Sequence, residues 1–127
     1  MDAEQARGIY QLLTLSAWAD GQIDPAETRV AEEFVAQIPE LSPVAGALAA
    51  EAKALVDRLG IDAALSQIAS HVLDPEVREL AFLYCARLIE ADGKIARAEF
   101  GVLLRLRALF ALDDEAVARL LTLAGQS

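Results

Sequence analysis

Two acidic segments stand out for the chemistry their side chains can do. Ala19-Asp20-Gly21-Gln22-Ile23-Asp24-Pro25-Ala26-Glu27 recurs as Ala91-Asp92-Gly93-Lys94-Ile95-Ala96-Arg97-Ala98-Glu99, at a constant offset of 72 residues. Six of the nine positions are identical, and four of these (Asp, Gly, Ile and Glu) are residues that an alanine-rich chain does not supply by composition alone. Asp20, Asp24 and Glu27 in one copy and Asp92 and Glu99 in the other offer only oxygen ligands. Such a set suits a hard divalent ion such as Ca²⁺, Mg²⁺ or Mn²⁺. Without histidine or thiolate in the motif, Zn²⁺ and Cu²⁺ fit poorly. If both turns face one another, two half-sites make one site, with Glu90 nearby. The mutual repulsion of five close carboxylates then favours cation uptake.

The same residues also have a purely structural reading. Gly21 and Gly93 suit a helix stop. Ile23 and Ile95 suit a hydrophobic staple, and Asp24 with Glu27 forms a capping box. The second copy has Ala96 where the first has Asp24, so it lacks that cap. Capping accounts poorly for Asp20 and Asp92, because an acid at a helix C-terminus faces the negative end of the dipole. Both readings stay open from the residues alone.

An EF-hand is excluded. The spacing matches only the second half of its loop, and positions one and three would fall on Ser16 and Trp18, or on Leu88 and Glu90. Carboxylates are needed there to complete the coordination.

The elements that position these turns are helical. Ala and Leu are abundant and strict alternation is absent, so strands are not expected. Asp24-Pro25, Ser42-Pro43 and Asp74-Pro75 each read as a cap followed by a proline at the first helical position. Gly60 reads as a stop, and Asp62 as the cap of the next helix. Asp113, Asp114 and Glu115 load the start of the last helix with acids. Seven helices are predicted, over 3–19, 25–38, 43–59, 63–72, 75–91, 97–111 and 114–124. The fifth is apolar almost all round and is expected at the centre. The result is an all-α, compact bundle of about seven helices, built from two pseudo-repeated helix-turn-helix units within a single domain over residues 1–127.

Composition narrows the function further. The chain has 127 residues, 55% of them apolar, which is enough for a core without disulfide or metal staples. Its net charge of −9 repels phosphate, so neither nucleic acid nor an anionic membrane is an expected partner. No secretory signal or membrane-spanning run is evident, and a cytoplasmic location is expected. The lone Cys85 lies in an apolar run and reads as a packing residue, with His71 on a different helix. No nucleophile–base set or cofactor fingerprint is present, so an enzyme is not expected. Trp18 reads as a packing residue, His71 as a solvated or last-turn residue, and Arg105 and Arg107 as a solvated face or a partner site.

The repeated A-D-G-x-I-x-x-[AE]-E signature between paired helices resembles the TerB-like family of tellurite-resistance proteins, to which the N-terminal domain of the co-chaperone DjlA is related. The resemblance covers about residues 12 to 121. It implies a small, all-helical protein of the bacterial cytoplasm, linked to tellurite resistance and stress response. It also implies divalent cation binding through Asp20, Asp24, Glu27, Asp92 and Glu99. The chain departs from the family pattern at Ala96, and Lys94 and Arg97 add positive charge beside the second turn. No His-Pro-Asp triplet is present, so a J-domain role is excluded. An unknown protein partner and a monomer or weak homo-oligomer are expected, and the alternative function is a non-catalytic protein–protein interaction adaptor whose acidic turns only cap helices.

Overall fold

Helix caps and buried faces set the architecture. The computed structural model describes residues 1–19, 24–91 and 97–126, without the side chains of 97–99. Among them are seven α-helices and no strand: α1 (Ala3–Trp18), α2 (Pro25–Gln37), α3 (Ala45–Leu59), α4 (Ile61–Ala69), α5 (Pro75–Glu90), α6 (Arg97–Leu109) and α7 (Asp114–Gly125). A short 3₁₀ turn, Pro39–Leu41, links α2 to α3.

Four helices begin on an aspartate whose carboxylate accepts a backbone N–H of the first turn. Asp2 takes it from Gln5, Asp24 from Ala26, Asp74 from Glu76 and Asp113 from Ala116, at 2.8–3.0 Å. Each cap satisfies a donor that the helix itself cannot.

Two predicted starts are corrected. Ser42-Pro43 does not open α3. The chain is still turning there, and the helix starts after Val44 with no side-chain cap. Leu41, only 2% exposed, fixes the preceding 3₁₀ turn in the core and delays the helix. Asp62 does not cap α4 either. Gly60 adopts φ 85°, ψ 165°, so the helix restarts at Ile61 and Asp62 falls within its first turn. An acid there still meets the positive end of the dipole.

Helices α1 and α5 form the centre. Ile9, Leu12, Leu13 and Leu15 of α1 and Ala81, Phe82, Cys85, Leu88 and Ile89 of α5 are all buried. Helix α5 packs against α1, α2, α6 and α7, as expected for a helix apolar on most sides. Burying side chains of this size contributes about 1.5–3 kcal/mol each before entropy is counted. Helices α3 and α4 pack on α1 through Leu48, Ala52, Leu55, Leu65 and Ile68. Leu59, at the end of α3, is 44% exposed. No helix among the described residues is long and apolar enough to cross a membrane.

Candidate functional site: the corner where α2 meets the end of α5

The first acidic turn joins α1 to α2. Asp24 is the N-cap of α2, and its Oδ1 accepts from the Ala26 N–H at 2.8 Å. Glu27 reaches back so that its Oε1 accepts from the Asp24 N–H at 3.4 Å, closing the predicted capping box. Asp24 remains part-exposed, whereas Glu27 is only 2% exposed. A carboxylate buried this deeply must be matched by donors or by positive charge, or its desolvation is severe.

Asp24 and Glu27 are thus brought together as expected. Asp20 and Asp92 lie outside the described residues, as do Gly21, Ile23, Gly93 and Ile95. Glu99 falls in the first turn of α6, with its side chain outside the description. No group of three or more potential metal ligands occurs among the described residues.

The described edges of both motifs border one cleft of about 440 Å³. Ala26, Arg29, Val30 and Glu33 of α2 form one wall. Arg87 and Glu90 of α5, with Ala91 just beyond it, form another, and Ala124 and Gly125 of α7 close the end. Ala26 belongs to the first motif and Ala91 opens the second, so segments 72 positions apart in sequence share a cavity.

The lining balances two arginines against two glutamates. The Arg87 guanidinium lies over the Tyr84 ring, 5.6 Å from its centroid. Half-buried Glu90 faces the end of α7, so that a Cβ on Gly125 would lie 3.9 Å from its Oε2. Arg29 and Arg87 were not foreseen as part of this corner. The available signal was Arg87, a charge that interrupts the apolar run Leu80–Ile89 one turn before Ala91.

Other residues of chemical interest lie outside this cleft. Cys85 is fully buried, and burial pushes its thiol up to about 12, partly offset by the Ser16 hydroxyl. Such a thiol is not a nucleophile near neutral pH. His71 lies beside Glu4, with Nδ1 2.9 Å from Oε1, at a half-exposed surface. Trp18 is part-exposed, with Lys53 Nζ 5.3 Å from its ring centroid.

Comparison with known families decides the relationship. The family model described as tellurite resistance protein TerB matches residues 6–122. The chain belongs to the TerB family. Neither the curated proteins nor the solved structures contain a match. Membership makes this a protein of tellurite-resistance type, and the match covers both acidic motifs in sequence and every residue of the cleft lining except Ala124 and Gly125.

Proposed function

We propose that this TerB protein binds a divalent cation in the corner between its two acidic turns, using Asp20, Asp24 and Glu27 from one turn and Asp92 and Glu99 from the other. The observation that carries the reading is the shared cleft, which Ala26 of the first motif and Ala91 of the second both line. Asp24 and Glu27, brought together at the start of α2, support it as two neighbouring carboxylates of the proposed oxygen-only donor set.

Capping and cation binding are compatible. Each carboxylate has two oxygens and about four lone-pair sites, so one that accepts a backbone N–H can still ligate. The donor set, oxygens only, fits Ca²⁺, Mg²⁺ or Mn²⁺. Ala96 withholds one ligand from the second turn, and Arg29 and Arg87 lower the negative potential of the cleft. Modest affinity and retained water ligands follow from both. The role is that of a cation-responsive component of a stress response in the cytoplasm.

The test is titration with Mn²⁺, Ca²⁺ and Mg²⁺, monitored by melting temperature and by the amide signals of Gly21 and Gly93. An ion at ten times its Kd stabilises by about 1.4 kcal/mol. For a domain of this size that raises Tm by a few degrees, roughly 3–6 °C. Loss of the response in Asp20→Asn and Asp92→Asn is the expected companion result. If all three ions leave Tm and both glycine amides unchanged, the reading fails.

A further inference from the structure

Helix α6 carries an outward face that the rest of the molecule does not cover. Phe100 and Leu104 are 50% and 52% exposed, one turn apart on that face. Ala108 extends the ridge by another turn, and Gly101 and Arg105 flank it, all three exposed. The opposite side of the helix, with Val102, Leu103, Leu106 and Phe110, is buried in the core. Helix α6 is thus apolar on both sides.

Two further observations say what fits the outer side. The first is charge. Helix α6 carries Arg97, Arg105 and Arg107 against Glu99, so it is net positive, while every other helix is neutral or acidic. The chain's acidity sits mainly in its first 63 residues, with eleven acids and four bases. Arg107 is engaged by Asp114. Arg105 holds only the Ser66 hydroxyl, at 3.3 Å, and forms no ion pair among the described residues. It is available to a carboxylate from outside.

The second observation is Gly101. A glycine inside a helix costs roughly 0.5–1 kcal/mol relative to alanine. No positive φ requires it here, and a Cβ at this position would meet nothing within 4 Å. Packing within the molecule does not call for glycine, and its absent side chain leaves room for a second backbone to come close beside Phe100 and Leu104.

We infer that the α6 outer face docks an acidic amphipathic helix of another protein. Apolar side chains at i, i+3 and i+4 of that helix sit on Phe100, Leu104 and Ala108, its backbone nears Gly101, and a flanking carboxylate pairs with Arg105. This surface is formed by residues outside the cation corner, so it stands or falls independently of the ion.

The probe is a fluorescein-labelled synthetic helix with leucines on one face and glutamates on the other, compared with its lysine counterpart by anisotropy at two salt concentrations. The glutamate peptide is expected to bind at least about tenfold more tightly than the lysine one, and less tightly at higher salt. Leu104→Glu and Gly101→Gln are each expected to weaken it roughly tenfold. Gly101→Gln fills open space and improves helix propensity, so its monomer folds at least as well as the parent. The inference is overturned if the lysine peptide binds as well or better, or if both variants bind unchanged. It is equally overturned if the parent chain self-associates in sedimentation and Leu104→Glu makes it monomeric, which would assign the face to a second copy. Phosphatidylserine vesicles competing away the glutamate peptide would assign it to a membrane and overturn it too.

Discussion

The ring of Phe34 stands edge-on to that of Tyr84, with centroids 5.0 Å apart and planes at 69°, and this pair ties α2 to α5 beside the cleft. The Tyr84 hydroxyl donates to Gln37 Oε1 at 2.8 Å, giving the same two helices a second, directional contact. Both rings are buried. They fix how the helix that carries Asp24 and Glu27 lies against the helix that leads to Ala91. Phe34→Ala is expected to lose about 3–5 kcal/mol in urea unfolding, through burial and the void left behind. Tyr84→Phe keeps the ring and is expected to lose only about 0.5–1.5 kcal/mol. If the pair also sets the cleft, Phe34→Ala weakens the Mn²⁺ response at temperatures where it is still folded, while Tyr84→Phe leaves it intact.

Asp24 allows capping to be separated from ligation. Asparagine caps a helix about as well as aspartate, whereas alanine forfeits roughly 1 kcal/mol. Without added metal, Asp24→Asn is expected to melt within about a degree of the parent, and Asp24→Ala several degrees below it. With saturating Mn²⁺ the order changes meaning. Both variants are expected to lose most of the ion-induced rise in Tm, since neither supplies a carboxylate. A full Mn²⁺ response in Asp24→Asn would remove this residue from the ligand set.

Local chemistry is what the sequence made legible. Asp24-Pro25 and Asp74-Pro75 open helices because cap and proline act within one turn, and both were readable without the fold. Ser42-Pro43 has the same look and fails, because burial of Leu41, a tertiary event, decides where the chain turns. The central place of α5 was readable because a helix apolar on most sides has nowhere else to go. The cleft was only half readable. Repetition pointed to two related corners, but no periodicity places Ala124 and Gly125 of α7 at its end, or turns Arg87 onto Tyr84. The depth of Glu27 was likewise hidden, since a capping box by itself is a surface feature.

Two glycines should respond in opposite directions to one substitution. Gly60 sits at φ 85°, ψ 165°, a region closed to side chains in practice, and it lets α4 start directly after α3. Gly60→Ala is expected to destabilise by roughly 1–3 kcal/mol although nothing crowds the site. Gly101 has ordinary helical surroundings and open space, so Gly101→Ala is expected to stabilise by about 0.5–1 kcal/mol. Urea midpoints of the two variants at unchanged m-value check both signs. A destabilised Gly101→Ala would show that the glycine serves the monomer and would weaken the case for a partner at α6.

Cys85 gives a signature in alkaline solution. Burial in α5 pushes its thiol up to about 12, while an unfolded cysteine ionises near 8.5. Below pH 8 both states hold the proton, and the group contributes no pH dependence. Above that, the unfolded chain releases the proton and the native chain keeps it, so the stability linked to the neutral thiol falls as pH rises towards 12. The slope approaches about 1.4 kcal/mol per pH unit for one proton. Urea unfolding between pH 8 and 10.5 is therefore expected to show the parent losing stability faster than Cys85→Ala, which starts lower because of its cavity. In the same range a disulfide reagent is expected to label the native thiol only as fast as the bundle opens. Rapid labelling at pH 8 without unfolding would mean that Cys85 is reachable in the native bundle, and would contradict its place in the core.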